Sequence, residues 1–75
     1  MEKWEYSTLV CYSHTSFEDA YIRYHNGYPI TEPDRLVSLV EYLNKLGQEG
    51  WEMVGVLPNI SINSWMILLK RKIDQ

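Results

Sequence analysis

The chain has 75 residues, a net charge of −3 at pH 7 and a pI near 5.2. This length predicts one domain, residues 1–75, with a modest core that association between copies would stabilise. The acidic balance opposes binding to nucleic acid, which needs a basic surface. The lone Cys11 excludes an internal disulfide. Because no signal peptide, bilayer-length apolar run or metal motif is visible, we expect a cytoplasmic protein with no membrane partner, metal or cofactor.

The first predicted element is a strand from Lys3 to Ser13, because its residues alternate between two faces. One of these faces is expected to be buried. The two faces carry Trp4, Tyr6, Thr8, Val10 and Tyr12 on one side, and Lys3, Glu5, Ser7, Leu9 and Cys11 on the other.

Residues 14–32 are a long connection that is rich in aromatic side chains. Connections of this length are usually functional or disordered, and the aromatic content favours order. Asn26 and Gly27 lie between residues that favour strands, which predicts a two-residue hairpin turn. We interpret the segment as a β-arm, with a lid and a disordered loop as the alternatives.

A helix start is predicted at Thr31-Glu32-Pro33-Asp34, because Thr31 can cap the helix and Pro33 loses no hydrogen bond in the first turn. Gly47 is expected to permit close approach to a sheet, and Gly50 to end the helix in the left-handed conformation. The predicted apolar stripe consists of Leu36, Leu39, Val40, Leu43, Leu46 and Gly47.

Two further strands are predicted over Trp51–Leu57 and Ser64–Ile73. The order is therefore β, β-arm, α, β, β, an α+β fold with an antiparallel sheet and one helix on one face. Both sheet faces are apolar, so the second face is expected to bury itself against another copy of the chain. The alternative is that the arm folds back over this face in a monomer. The residues assigned to the interface are Trp4, Val54, Val56, Trp65 and Ile67.

Three blocks of sequence carry a family resemblance. They are Trp4-Glu5-Tyr6, the run from Leu43 to Val56 with its Gly50-Trp51-Glu52 core, and Leu68-Leu69-Lys70-Arg71. In these blocks the chain resembles the small bacterial and phage proteins grouped as domain of unknown function 4177. The resemblance does not cover residues 14–32. It implies a short β-α-β-β domain and no catalytic residue.

Catalysis is not expected. Cys11, His14 and His25 have no nucleophile motif around them, and Cys11 on a strand is interpreted as a packing residue. Glu52 would need a cation such as Lys70 across the hairpin if it faced the apolar side. The run Lys70-Arg71-Lys72 is interpreted as a charged strand exit, with an anion site as the alternative.

The arm is the predicted ligand site, because aromatic faces beside cationic groups suit a nucleotide-like molecule. The same mixture suits a protein interface. We hypothesise a non-catalytic, homo-oligomeric binding protein for a small anionic ligand, in one version a phage anti-defence sponge for a nucleotide immune signal. The alternative is a module that docks on and inhibits a host protein. The predicted ligand-binding residues are Tyr12, His14, Tyr21, Arg23, Tyr24, His25, Tyr28 and Arg71.

Overall fold

A computed structural model, which describes residues 2–31, 37–59 and 63–73, shows a five-stranded antiparallel sheet with one α-helix packed against it. This confirms the predicted α+β fold. The spatial order of the strands is β3-β2-β1-β5-β4. The elements are β1 (Trp4–Tyr12), a 3-10 turn (Phe17–Asp19), β2 (Tyr21–His25), β3 (Tyr28–Pro29), α1 (Leu39–Gln48), β4 (Glu52–Asn59) and β5 (Ser64–Lys72).

The core lies between α1 and one face of the sheet, which we call the inner face. β1 is the central strand, and its face with Ser7, Leu9 and Cys11 is the buried one. These positions alternate with partly or fully exposed residues, as expected for a strand with one face in the core. The core cluster consists of Leu9, Cys11, Ala20, Ile22, Leu39, Tyr42, Leu46, Ile67 and Leu69.

The predicted hairpin is confirmed in the arm. Asn26 and Gly27 both have positive φ, 53° and 83°, and His25 pairs with Tyr28 across the two-residue turn. These torsions fit the twist of adjacent strands. The arm does not fold over the sheet, however, because β2 pairs with β1 and extends the sheet sideways. The alternative of an arm that covers the second face is therefore wrong for the described part of the arm.

The start of the helix differs from the prediction. Ser38 has extended torsions (φ −67°, ψ 160°) and its hydroxyl accepts from the Glu41 amide, so α1 begins at Leu39. The prediction of a continuous helix from Thr31 is therefore wrong, because Ser38 is not helical. It forms an isolated antiparallel β-bridge with Tyr21 instead. The predicted start at residues 32–34 and Leu36 of the stripe lie outside the described residues.

The buried stripe of α1 is also shifted from the prediction. Tyr42 is buried, whereas Val40 is 53% exposed and Gly47 lies at the surface. A Cβ on Gly47 would contact nothing, so its predicted role in close packing is wrong. Gly50, with φ 95°, follows the helix as predicted. The stripe rotates because the aromatic ring of Tyr42, three residues after Leu39 and four before Leu46, fills the space over the sheet.

The predicted interface residues divide between the two faces of the sheet. Val56, Trp65 and Ile67 belong to the inner face, with Ile67 fully buried and the other two packed against the core. Placing them on the free face was wrong. Both alternating sets of β5 are apolar, so the pattern could not select the buried one. A bulge at Val54 also breaks the alternation in β4, which separates Val54 from Val56. Trp4 and Val54 are exposed.

Candidate ligand-binding site

The sheet face opposite α1, here called the outer face, is apolar and is not covered by the described residues. The strand registers place Tyr24, Val10, Met66 and Leu57 in one row across β2, β1, β5 and β4. Tyr24, Met66 and Leu57 are 43%, 42% and 66% exposed. An apolar surface that is contiguous across a sheet typically marks a binding site.

One end of the outer face contains two hollows that share Tyr12, His14 and Arg23, and we call them together the tyrosine hollow. The first, of about 510 Å³, is lined by Val10, Tyr12, His14, Arg23, Tyr24 and Ser64. The second, of about 380 Å³, is lined by Tyr12, Ser13, His14, Thr15, Asp19, Tyr21 and Arg23. Five of the eight predicted ligand residues thus come together: Tyr12, His14, Tyr21, Arg23 and Tyr24.

An irregularity in β2 explains how two neighbours in sequence reach the same hollow. Val10 pairs with Tyr24, but Cys11 pairs with Ile22, so Arg23 is an extra residue in β2. On a regular strand Arg23 and Tyr24 would point to opposite faces. The bulge removes this alternation, and both residues line the first hollow.

The chain after β1 is shaped by short polar contacts that position His14. The Ser13 amide donates to the Asn63 carbonyl, and the Thr15 amide donates to Ser13 Oγ at 3.1 Å. The Asp19 carboxylate then accepts from the Thr15 and Ser16 hydroxyls, both at 3.2 Å. In this turn the His14 ring meets the Tyr12 ring edge to face, with centroids 5.2 Å apart.

The charges at the hollow favour a ligand with both a flat ring and an anionic group. Arg23 is exposed and, within the described residues, its guanidinium has no ion pair. The Asp19 carboxylate, which accepts from two neutral hydroxyls and keeps its negative charge, lines the second hollow and not the first, so the first hollow is the better place for an anionic group. A guanidinium forms charge-assisted, bidentate hydrogen bonds to phosphate or carboxylate, and tyrosine rings stack on planar groups. The arrangement can therefore bind and orient such a ligand.

Three predicted ligand residues lie elsewhere. His25 points to the inner face, where it contacts Ser7 and Tyr42. Tyr28 lies at the hairpin tip and is 76% exposed. Arg71 stacks on Trp51 and pairs with Glu5 at the far end of the sheet. Assigning these three to the same pocket was wrong, because strand pairing separates positions that are close only in sequence or composition.

The basic run at the end of β5 is occupied by contacts within the chain. Arg71 Nε donates to Glu5 at 2.6 Å, and Lys72 donates to Glu2 at 3.1 Å. Lys70 Nζ lies 4.4 Å from the centre of the Trp4 ring, and its register partner on β4 is Glu52. These contacts support the interpretation as a charged strand exit rather than an anion site.

Sequence reasoning missed some residues that line the hollow, among them Val10, Ser64 and Asp19. Ser64 reaches the hollow because it pairs with Tyr12, and its hydroxyl donates to the Cys11 carbonyl at 3.1 Å. Only the register of β1 on β5 brings it there, and composition does not encode that register. Val10 could have been predicted, because the alternation of β1 places it on the same face as Tyr12.

The groups considered for catalysis are dispersed. Cys11 is fully buried, and its burial raises the pKa of the thiol to about 11 despite a 3.6 Å contact with the Trp65 carbonyl. A thiol with this pKa is protonated at neutral pH and is a poor nucleophile. Among residues 2–31, 37–59 and 63–73, no three His, Cys, Asp or Glu side chains cluster at metal-binding distance.

Comparison with known proteins adds no assignment: no family model, curated protein or solved structure matches this chain significantly. The resemblance to domain of unknown function 4177 therefore stays a prediction. In the described part of the chain, no helix is long and apolar enough to cross a membrane.

Proposed function

We propose that this chain is a non-catalytic binding protein whose tyrosine hollow takes a small, planar, anionic ligand of the nucleotide class. The observation that carries the proposal is the convergence of Tyr12, Tyr24, His14 and Arg23 from separate segments into one hollow. Stacking would supply affinity for the base, and Arg23 would supply affinity for a phosphate. The most specific form of this proposal is that the protein is a cytoplasmic phage sponge that sequesters a host nucleotide signal.

The second part of the proposal is that the outer face binds another copy of the chain. The row from Tyr24 to Leu57 is apolar, and three of its four residues are exposed, with Val10 partly exposed. A 75-residue chain gains stability by burying such a surface. The hollow opens on this same face. A second copy would deepen the hollow and exclude water from the ligand.

Ligand retention tests the first part. We expect wild-type protein, purified from cells that produce nucleotide immune signals, to release an ultraviolet-absorbing phosphate compound when it is denatured and analysed by mass spectrometry. Arg23→Ala and Tyr24→Ala should lose most of it. Tyr28→Ala is the matched control, because this exposed tyrosine of the same hairpin does not line the hollow. Retention by the Arg23 and Tyr24 variants would contradict the proposal.

A protein-docking module is the second candidate, and the exposed row on the outer face is the observation that favours it. Interfaces are enriched in Tyr and Arg, the residues found here. The candidate predicts a protein partner that remains bound through purification and no released small molecule. Loss of that partner in Met66→Lys, with no compound released from wild type, would favour docking over ligand binding.

A further inference from the structure

The tyrosine hollow has two parts, and the same three side chains line both of them. Tyr12, His14 and Arg23 are shared, whereas Tyr24 lines only the first hollow and Tyr21 lines only the second. The two volumes, about 510 Å³ and 380 Å³, each fall within the range of about 300–1,000 Å³ that is typical of small-molecule sites. Either hollow alone therefore has room for one nucleoside, and the two together have room for a longer ligand.

The two unshared tyrosines lie on either side of Arg23 along β2. Tyr24 pairs with Val10 and Tyr21 pairs with Tyr12, so their partners are two residues apart on β1 and share one face. Two residues of a strand span about 7 Å, which is the spacing between the two tyrosines along β2. Arg23 lies between them and lines both hollows. The strand thus presents an aromatic ring, a guanidinium and a second aromatic ring in sequence.

The charges indicate which part of a ligand each hollow accepts. The guanidinium of Arg23 has no ion pair within the described residues, so it is the group that would bind a phosphate. The second hollow also contains the Asp19 carboxylate, whose Oδ2 accepts from the hydroxyls of Thr15 and Ser16. A carboxylate repels an anion and accepts hydrogen bonds from ribose hydroxyls or amino groups. The second hollow therefore suits a sugar and a base rather than a second phosphate.

We propose, building on the proposed function, that the ligand is a dinucleotide whose internal phosphodiester binds Arg23 and whose two nucleosides occupy the two hollows. Tyr24 contacts one base and Tyr21 contacts the other. A phosphodiester with its two sugars spans the distance between the two rings. A mononucleotide uses the same guanidinium but leaves one hollow empty. Because every base has a π-face, this arrangement selects for the length of the ligand and not for the identity of its bases.

The experiment is isothermal titration calorimetry with two probes, on protein produced in cells without nucleotide immune signals. The probes are the dinucleotide ApA, which is two adenosines joined by one phosphodiester, and AMP. We expect ApA to bind roughly tenfold to a hundredfold more tightly than AMP, because its second base adds one stacking contact. Equal affinities would overturn the dinucleotide proposal and leave the proposed function standing. Binding of neither probe would overturn both.

Variants of Tyr21 test whether the second hollow is the source of this preference. Tyr21→Ala should remove the difference between ApA and AMP, because it deletes the aromatic ring that belongs to the second hollow alone. Tyr21→Phe keeps the ring and should restore the difference. Tyr28→Ala is the control on the same hairpin, since this exposed side chain lines neither hollow. A preference for ApA that survives in Tyr21→Ala would overturn the assignment of the second nucleoside to this hollow.

Discussion

At the scale of single residues, the tyrosine hollow depends on side chains that do not alternate between the two faces of the sheet as a regular strand requires. Arg23 and Tyr24 share the hollow because β2 carries a bulge, while the next residue, His25, points to the inner face. The aromatic and cationic residues of the arm were visible in the sequence. The bulge was not, because it arises from how β2 pairs with β1, and one-dimensional periodicity contains no information on that pairing.

Ser7 should contribute measurably to stability, because its buried hydroxyl lies 2.8 Å from His25 Nε2 and donates to Asn26 Oδ1 at 3.0 Å. Ser7→Ala removes the hydroxyl that contacts His25 Nε2 and Asn26 Oδ1, and polar groups left without this partner cost about 1–3 kcal/mol. Urea denaturation at pH 7.5 measures the loss. Ser16→Ala is the matched control, since this exposed hydroxyl should change stability by less than about 0.5 kcal/mol. Equal losses in the two variants would contradict the assignment.

Cys11 should be unreactive in the folded protein. Its raised pKa of about 11 keeps the thiol protonated at pH 7–8, and the side chain is fully buried. Iodoacetamide labelling followed by intact-mass analysis should show little modification in native buffer and full modification in denaturant. Rapid labelling of the native protein at pH 7.5 would show that the thiol is exposed or activated.

At the scale of elements, turn chemistry was the most predictable feature. Asn26, Gly27 and Gly50 have positive φ. Because Gly and Asn adopt this conformation more readily than other residues, the residue types alone predict it. The helix start was less predictable, because two capping sequences compete upstream of α1. Ser38 caps the observed helix. The next residue, Leu39, donates its amide to the Ala20 carbonyl, which fixes the start of the helix. This is a tertiary contact, so the local sequence pattern does not contain it.

Two glycine substitutions should have opposite effects on stability. Gly27→Ala forces a side chain into φ 83° and should destabilise the hairpin by about 1–2 kcal/mol. Gly47→Ala lies within α1 with open space around its Cβ and should stabilise the protein by up to about 1 kcal/mol. Thermal and urea unfolding measure both. Effects of the same sign would contradict the backbone assignment at one of the two positions.

At the scale of the whole molecule, the sheet has one face in the core and one face exposed. The sequence predicted that one helix would cover only one face, and this is what the described residues show. It could not predict which apolar set was buried, because β5 is apolar on both sides. Three of the five expected interface residues consequently belong to the core side.

A charge on the outer face should abolish self-association. Met66→Lys places an ammonium group in the apolar row, where burial against another copy would be costly. Sedimentation velocity over a range of concentrations should show a monomer for this variant and a larger species for wild type. Val40→Lys is the matched control, because Val40 is exposed on the helix away from this face. Identical behaviour of both variants would contradict an outer-face interface.

Native mass spectrometry of freshly purified wild-type protein tests self-association and ligand binding together, because one spectrum reports both assembly and bound ligand. We expect a multimer that carries a small phosphate-containing compound in fixed stoichiometry to the chain, released on denaturation. A bare monomer, from cells with and without nucleotide immune signals, would contradict both the self-association of the outer face and the ligand-binding role of the tyrosine hollow.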